Sequence, residues 1–240
     1  MTQHTFHAMG TEWSLIAANA DELLRDAEGL VRWLELRLSR FDPDSPLSAL
    51  NRDRRCVDPV LAQVVRLALG WRGRTRGLLD PTLGGTLAAL GYATRFEHVE
   101  GRPMARVDHR PQVTVDGDCV ALHGDGEVDL GGIAKGWAVD QVARRLASRG
   151  VRYGLVDGGG DLRAIGGPWP IGVGGDDAIV LRGDAVATSS TLRRAWRASD
   201  GTALHHILDP RTGLPSASPL HTAVCARQTR PPRTRWRPRC

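Results

Sequence analysis

The chain has 240 residues with 41% hydrophobic and 25% charged content, which is typical of a folded protein large enough to bury a hydrophobic core. Six arginines after residue 226 account for more than the whole net charge of +5, and aromatic residues make up only 5%, so a nucleic-acid partner is not expected. No apolar run approaches membrane-spanning length, the first residues lack a signal-peptide pattern and the four cysteines lack metal-binding spacing, which predicts a cytoplasmic protein without a membrane span.

Sequence patterns in the first half of the chain predict helices and strands separated by clear loop signals. Asp58-Pro59 joins a capping residue to a residue favoured in the first helical turn, and so marks a helix start. In chain order, the predicted elements are a strand Glu12–Ala18, a helix Asp21–Phe41, a loop Asp42–Asn51, a helix from Asp58-Pro59 to about Trp71, an irregular loop Gly77–Gly85 and a hairpin Val113–Leu122 about Gly117.

The second half predicts one central helix among short strands. That helix starts at Ile133 and ends at Gly150, a residue suited to a left-handed stop. The predicted strands are Glu127–Leu130, Val151–Asp157, Asp161–Ile165, Ala178–Arg182, Ala185–Thr188, His205–Leu208 and Thr222–Ala226. With no internal repeat and no long linker, this mixture predicts a single α+β domain over residues 1–226. The remaining residues 227–240 are rich in Arg and Pro without periodicity, and are expected to be a disordered or aberrant tail.

Lys135 is the only lysine of a chain that otherwise carries positive charge on arginine. Unless this single occurrence is chance, it indicates that a compact ammonium is required there and not a planar guanidinium. Lys135 falls in the first turn of the helix that follows Gly131-Gly132, where free backbone N–H groups and the helix dipole favour an anion. Asp129 and Lys135 are expected to flank that anion, although Asp129 could merely cap the helix. Neither a Walker A order nor a G-x-G-x-x-G pattern is present at this position.

Seven segments of the chain, in family order, resemble the FAD:protein FMN transferases, which are the ApbE-like flavin transferases. Any one of these segments is a weak signal, but the ordered set is specific and reaches from Met9 to about Ala226. The segments are Ala8–Leu15, Leu38–Asn51, Leu79–Gly85, Val128–Ala143, Leu155–Gly166, Ala187–Trp196 and His205–Pro215. The resemblance implies a single mixed α+β domain of the ApbE-like (T-fold-like) type.

The same resemblance implies an enzyme that cleaves its substrate FAD with the help of Mg²⁺. It attaches FMN through a phosphoester bond to a Thr or Ser hydroxyl of an acceptor flavoprotein and releases AMP. By similarity, the expected FAD contacts are Met9 and Phe41 at the isoalloxazine ring, Leu79, Asp80, Pro81 and Thr82 along the adenosine or ribityl part, Asp129 and Lys135 at the phosphates, and Leu208 at the flavin. From the residues alone, Met9 and Phe41 could equally be core residues, and Asp80 could make an Asx turn.

His206 is the best candidate for the general base that takes the proton of the acceptor hydroxyl, because imidazole titrates near neutrality. Its neighbour His205 should point to the opposite face of the same strand, so only one of the two can serve. A lone histidine on a strand is often structural, and that alternative stays open for His206.

The resemblance places a metal-binding segment at Gly132 and Ala134, where backbone carbonyls could ligate Mg²⁺. In the family the main side-chain ligands come from a later Asp-x-x-x-Thr, which this sequence lacks, and no acidic residue follows Asp209. Two alternatives to the transferase therefore remain. The first is a flavin-binding protein that has lost transfer, and the second is a hydrolase that converts FAD to FMN and AMP.

Overall fold

A computed structural model describes residues 1–99, 110–174 and 177–227 of the chain. The helices are α1 (Asp21–Leu38), α2 (Pro46–Asp53), α3 (Pro59–Arg74), α4 (Gly84–Ala89) and α5 (Ala134–Ser148), with short 3-10 turns at Pro81–Leu83 and Phe96–His98. The strands are β1 (Thr2–Ala8), β2 (Thr11–Ala17), β3 (Arg55–Val57), β4 (Gln112–Asp116), β5 (Cys119–His123), β6 (Gly154–Asp157), β7 (Leu162–Ile165), β8 (Trp169–Gly174), β9 (Asp177–Leu181), β10 (Ala185–Ser190), β11 (Ala195–Arg197), β12 (Ala203–His205), β13 (Leu208–Asp209), β14 (Leu214–Pro215) and β15 (Thr222–Arg227).

Six of the strands form one antiparallel sheet in the order β1-β2-β6-β7-β10-β15. Successive residues of a strand point to opposite faces, and both faces of this sheet are covered. Leu15 and Val156 face the main core with α1 and α5, whereas Leu155 and Leu162 face a second cluster formed with the β8–β9 hairpin. The sheet is therefore the middle layer of the domain.

A smaller sheet, β3-β5-β4, packs with α2 and α3 and extends the main core. Val120 and Leu122 on β5 are buried together with Leu61 and Val65 on α3. Asp58 caps α3 by accepting the N–H of Leu61 at 2.8 Å, as its pairing with Pro59 predicts. The hairpin that holds this sheet together turns at Gly117, whose φ is +51°.

The described residues confirm most of the predicted elements, including the strand at Glu12, the long helix from Asp21, the helix from Pro59, the Gly117 hairpin and the helix that stops at Gly150. Mixed helices and antiparallel sheets confirm the α+β class. The predicted tail begins at Arg227, whose backbone still pairs with Ala185. Residues 228–240 lie outside the described part of the chain.

Three local predictions were wrong. The predicted loop after α1 contains α2, because Ser45 caps its start by accepting the N–H of Ser48 at 3.0 Å. Residues 127–130 join no sheet, and Val128 exchanges both of its backbone hydrogen bonds with the side chain of Asn51 at 2.8 and 3.0 Å. The strand predicted from His205 to Leu208 is split: β12 ends at His205, and β13 begins at Leu208.

Candidate functional site

Lys135 lies in the first turn of α5 and makes a close ion pair. Its Nζ is 2.6 Å from Asp161 Oδ2 and 3.4 Å from the carbonyl oxygen of Gly158. Asp161 follows the turn that leaves β6, so the pair joins the start of the helix to the neighbouring strand end. A lysine ammonium has three N–H donors. Two of them are engaged by these partners, which leaves one for a further acceptor.

The turn at Gly158-Gly159-Gly160 can be made only from glycine. A Cβ on Gly158 would lie 2.8 Å from a Val139 methyl, and one on Gly159 would lie 2.0 Å from Thr11 Oγ1. Gly159 and Gly160 also have φ values of +73° and +100°, which L side chains rarely adopt. The turn is therefore pressed against β2 on one side and α5 on the other, and its carbonyl oxygens accept from Lys135 and, at 3.3 Å, from Arg193.

Met9 and Gly10 form the tight turn between β1 and β2, beside the same glycine turn. Both have left-handed φ values, +51° and +67°, and Met9 is half-buried at the edge of the main core. The guanidinium of Arg194 donates to the carbonyl oxygen of Gly10 at 3.2 Å. This contact spans most of the chain length and ties the Met9 turn to the segment that leaves β10.

Arg194 also fixes His206. Its carbonyl oxygen lies 3.3 Å from the backbone nitrogen of His206 and 3.4 Å from the ring Nδ1. A carbonyl oxygen only accepts hydrogen bonds, so the neutral ring carries its proton on Nδ1 and presents an unprotonated Nε2. Burial, assisted by the positive charge of Arg194, lowers the pKa of His206 to about 4, while Asp129 acts in the opposite direction. At neutral pH the imidazole is therefore uncharged with its Nε2 lone pair free, and the lowered pKa makes it a weaker base than an ordinary histidine.

His205 is held differently from its neighbour. Its Nε2 lies 3.2 Å from the carbonyl oxygen of Ser216, and its Nδ1 is buried with no hydrogen-bond partner among the described residues. Both nitrogens of His205 are thus confined within the protein, and His206 remains the candidate base of the two.

Asp129 is paired with an arginine that sequence analysis did not single out. Arg40 Nε lies 2.7 Å from Asp129 Oδ2, and the Arg40 side chain is only 5% exposed. The other carboxylate oxygen of Asp129 accepts the N–H of Gly131 at 2.9 Å. Asp129 and Lys135, which were expected to flank one anion, therefore each have their own ion-pair partner.

Phe41 belongs to an aromatic cluster beside this ion pair. The Arg40 guanidinium lies 4.3 Å from the centre of the Phe41 ring and 4.9 Å from that of Tyr92. Phe41 and Tyr92 are 5.4 Å apart, and Tyr92 contacts Trp196 at 5.7 Å. Phe41 is half-buried, so part of its ring remains available at the surface of the cluster.

The Leu79–Thr82 segment is held mainly by the side chain of Asp80, which is 2% exposed. One oxygen of that carboxylate accepts from the N–H of Thr82 at 3.0 Å and from its hydroxyl at 2.7 Å, which is the Asx-type turn that the sequence left open. Arg110 bridges the carboxylate, at 3.1 Å, to the carbonyl oxygen of Pro210. The carbonyl oxygen of Pro81 accepts the N–H of Asp129 at 2.8 Å, which joins this segment to the loop before α5. Leu79 is half-buried, and Pro81 and Thr82 are buried.

Leu208, two residues after His206, starts β13 and pairs with Pro215 on β14. Asp209 closes the following turn by binding Arg211 through both carboxylate oxygens, the shortest contact being 2.6 Å. Leu208 is half-buried. The turn therefore anchors the strand that carries Leu208 close to the candidate base.

The described residues fit a magnesium ion poorly. Gly132 is exposed with open space around it and Ala134 is buried, so this segment offers backbone oxygens only. Asp129 and Asp161 are neutralised by Arg40 and Lys135. Within residues 1–99, 110–174 and 177–227, no group of three His, Cys, Asp or Glu side chains is placed to hold a metal ion. Hard oxygen ligands are what Mg²⁺ requires, and here they are incomplete.

Sequence reasoning missed three residues that organise this site, namely Arg40, Asp161 and Arg194. All three lie inside the segments that carry the family resemblance. Arg40 directly precedes Phe41, Asp161 directly follows the glycine turn, and Arg194 lies within Ala187–Trp196. Their partners are 89, 26 and 184 residues away in sequence, so no local pattern could identify the pairs. No local signal marks Asp161, and Arg40 and Arg194 stand out only as cations inside the family-like segments.

Residues 9–230 match the sequence model of the ApbE family. Among curated relatives, the FAD:protein FMN transferase of Vibrio cholerae is 30% identical over 82% of this chain and 66% of its own length. That of Haemophilus influenzae is 26% identical over 88% of this chain and 69% of its own length. The chain thus spans about two thirds of these relatives. No helix of the described residues is long and apolar enough to cross a membrane.

Solved structures agree with the sequence match. The crystal structure of the ApbE protein of Thermotoga maritima has a TM-score of 0.83 and 28% identity, and the match covers 94% of this chain and 81% of the other. The apo flavinyl transferase ApbE of Pseudomonas stutzeri superposes with a TM-score of 0.81 over 94% of this chain and 79% of its own, and at 24% identity it shows the fold alone. The chain belongs to the ApbE family.

Proposed function

We propose that this member of the ApbE family is an FAD:protein FMN transferase. It binds FAD, cleaves the diphosphate bridge and attaches FMN to a Thr or Ser hydroxyl of an acceptor flavoprotein, with AMP as the leaving group. The activity is a proposal for this chain because the chain spans only about two thirds of the Vibrio cholerae transferase, 66% of its length.

One observation carries the proposal: Arg194 links the Met9 turn to the candidate base. Its guanidinium holds the carbonyl oxygen of Gly10, and its own carbonyl oxygen holds the ring and backbone of His206. Thr11, which directly follows the Met9 turn, lies against the glycine turn whose carbonyl oxygen binds Lys135. Direct contacts thereby connect the turn of Met9, expected at the flavin, with Lys135, expected at the phosphates, and with His206, expected at the acceptor.

Lys135 and the start of α5 are assigned to the diphosphate of FAD. The first turn of α5 has no side-chain cap, and the N–H of Ala134 donates to the carbonyl oxygen of Leu130 at 2.8 Å. The N–H groups of Lys135 and Gly136, together with the dipole of the helix, are therefore assigned to the anion. The third N–H of Lys135 can donate to a phosphate oxygen while Asp161 keeps the ammonium in place. Charge neutralisation and positioning are the main requirements of phosphoryl transfer, and this arrangement supplies both.

His206 is assigned to the acceptor. As the hydroxyl oxygen forms its bond to the FMN phosphorus, the bond from that phosphorus to the bridging oxygen breaks, and AMP leaves with that oxygen. The hydroxyl proton passes to Nε2 of His206, which is unprotonated because Nδ1–H is directed at the Arg194 carbonyl. The neutral state that burial imposes on the ring keeps this position free at physiological pH.

The flavin itself is assigned to the half-buried apolar side chains around these groups. Met9 on the β1–β2 turn, Phe41 beside Arg40 and Leu208 on β13 are proposed to contact the isoalloxazine ring, and Asp129 is proposed to accept a hydrogen bond from the nucleotide. The backbone of Leu79–Thr82 is proposed to line the adenosine or ribityl part, since the side chains of Asp80 and Thr82 are bound to each other.

Magnesium is implied by the resemblance, with Gly132 and Ala134 as backbone ligands. The described residues contain no group of three His, Cys, Asp or Glu side chains placed to hold a metal ion, so no step of the reaction is assigned to a metal. This mismatch favours one second candidate, a flavin-binding protein that keeps the FAD contacts without transfer.

A single assay separates these functions. The protein is incubated with FAD and Mg²⁺, with and without a flavoprotein domain that carries a candidate Thr, and the mixture is resolved by denaturing electrophoresis. Covalent flavin fluorescence on the acceptor, with equimolar AMP, supports the transferase. FAD that binds but is recovered intact supports the binding protein. Free FMN and AMP without labelled acceptor indicate a hydrolase and contradict the proposal.

A further inference from the structure

Arg40 is a deeply buried charged side chain of the candidate site, with 5% of its surface exposed. It follows α1 directly, in the short segment that precedes α2. Burying a guanidinium is costly unless every donor is matched, so its partners indicate what the residue is for. None of the functional assignments above uses Arg40.

The polar partners of Arg40 come from two other parts of the chain. Its Nε lies 2.7 Å from Asp129 Oδ2, and its Nη2 lies 2.5 Å from the carbonyl oxygen of Tyr92. The guanidinium thus links the α1–α2 loop to the loop after α4 and to Asp129, two residues before Gly131. Only a planar fork can serve these two acceptors from one rigid group.

The flat faces of the same guanidinium are also occupied. They lie over Phe41 at 4.3 Å and over Tyr92 at 4.9 Å from the ring centres. Stacking of this kind restricts the tilt of both rings, and Tyr92 is in turn held against Trp196. The ring of Phe41 is therefore in contact with both the Arg40 guanidinium and the Tyr92 ring.

Asp129 is left with a single orientation. One carboxylate oxygen is bound by Arg40 and the other by the N–H of Gly131 at 2.9 Å. Each carboxylate oxygen can accept a further hydrogen bond, so a ligand donor can still be received without moving the group. Pre-organised acceptors of this kind bind more tightly because no ordering is required when the ligand arrives.

We propose that Arg40 is a positioning residue for the flavin half of FAD: it holds the Asp129 carboxylate and the Phe41 ring in the arrangement that receives the nucleotide. This inference rests on the proposed function. It assigns to Arg40 no contact with the diphosphate, which is the role of Lys135 and the start of α5. Because Arg40 holds both Phe41, expected at the isoalloxazine ring, and Asp129, expected at the phosphates, it influences affinity for the FMN half of FAD more than affinity for AMP.

Arg40→Lys is the test variant, because it keeps the charge and removes the planar fork and its stacking. We expect the dissociation constants of FAD and of FMN, followed by flavin fluorescence, to rise about tenfold for the loss of one well-oriented interaction. AMP affinity, measured by displacement of a fluorescent AMP analogue, should change less than about twofold. In the Asp129→Asn background, Arg40→Lys should weaken FAD binding by less than about threefold, because both changes disturb the same Arg40–Asp129 ion pair.

Arg37→Lys is the matched control. Arg37 lies on α1, pairs with Asp58 at 3.5 Å and stacks over Trp33 at 3.9 Å, so the substitution removes the same kinds of contact away from the site. It should leave the affinities for FAD and FMN as in the unmodified protein. If Arg40→Lys does not fold, Arg40→Gln, which retains a planar N–H donor for Asp129, is compared in the same way.

The possible failures are distinguishable. If the unmodified protein does not bind FAD, the proposed function fails. If it binds FAD and Arg40→Lys binds equally well, the inference about Arg40 is overturned while the function stands. Equal losses of FMN and AMP affinity, or full additivity with Asp129→Asn, would mean that Arg40 only supports the fold, and would also overturn the inference.

Discussion

Lys135 and Asp161 form an ion pair with Nζ 2.6 Å from Oδ2, and this pair joins the first turn of α5 to the end of the glycine turn after β6. The lysine is 20% exposed and the aspartate 16%, so the pair is partly screened by protein and open on one side. An ammonium held in this way is already positioned before a ligand binds.

Lys135→Ala is expected to weaken FAD binding by about 10- to 100-fold, the loss typical of one hydrogen bond to a charged group. Isothermal titration with FAD measures the change. Arg144→Ala is the control, since Arg144 lies on the same helix, is 65% exposed and pairs only with helix neighbours. Unchanged FAD affinity in Lys135→Ala would remove this residue from the site.

His206→Gln is expected to lower the rate of acceptor labelling by about 10²- to 10⁴-fold, because a general base typically contributes that much. FAD affinity should change little, since the ring is assigned to the acceptor and not to the nucleotide. Single-turnover labelling with FAD in excess measures the rate. Wild-type labelling by the variant would exclude His206 as the base.

The free energy of unfolding is expected to fall as the pH is lowered from about 6.5 to about 4. Burial and the charge of Arg194 lower the pKa of His206 to about 4, against a usual value of 6.5, so in this range the unfolded chain binds a proton that the folded chain excludes. The loss should be smaller in His206→Gln, in urea unfolding at pH 7 and pH 5. His221→Gln, at an exposed position, should unfold like the unmodified protein at both values.

Gly159→Ala is expected to lower the free energy of unfolding by about 1 to 3 kcal/mol or more, because an L residue at a left-handed φ is strained and the new Cβ has no room. That Cβ would lie 2.0 Å from Thr11 Oγ1. Gly29→Ala on α1 is the opposite control: its Cβ would meet nothing within 4 Å, and alanine should stabilise the helix by up to about 1 kcal/mol. Thermal unfolding that ranks the two variants the other way would contradict this geometry.

Magnesium alone is expected to bind the protein weakly. The described residues hold no cluster of three metal-ligating side chains. The carboxylates of Asp129 and Asp161 are paired with Arg40 and Lys135. Calorimetric titration of the FAD-free protein with MgCl₂ should show no saturation below about 1 mM, consistent with an ion that depends on substrate phosphates. Saturation at micromolar Mg²⁺ would show that a complete site exists.

Local sequence patterns were sufficient where a segment carries its own periodicity. The apolar spacing of Leu24, Val31 and Leu34 predicted α1, and Asp58 with Pro59 predicted the start of α3. β1 escaped prediction because its sequence, TQHTFHA, is mainly polar and is held by pairing with β2 rather than by its own pattern. Strand registers of this kind are tertiary information.

The site shows the same division. The resemblance identified Asp129, Lys135 and His206 as functional candidates, but the partner of each is set by contacts between distant segments. Arg40 reaches Asp129 across 89 residues, and Lys135 pairs with Asp161 and not with the carboxylate six positions before it. Asp80 and Thr82 are expected at the nucleotide, and their side chains close the Asx turn that the sequence had left open. Side-chain pairing depends on which loops meet, and a single sequence does not specify that.

The central claim is that the Gly131-Gly132 turn before α5 and Lys135 together bind the diphosphate of FAD. A crystal structure of the protein soaked with FAD, in the presence of Mg²⁺, tests it most directly. We predict phosphate oxygens within about 3.2 Å of Lys135 Nζ and of backbone nitrogens in the first turn of α5, as charge-assisted hydrogen bonds require. A diphosphate bound elsewhere on the protein, with Lys135 still held only by Asp161 and Gly158, would contradict the account.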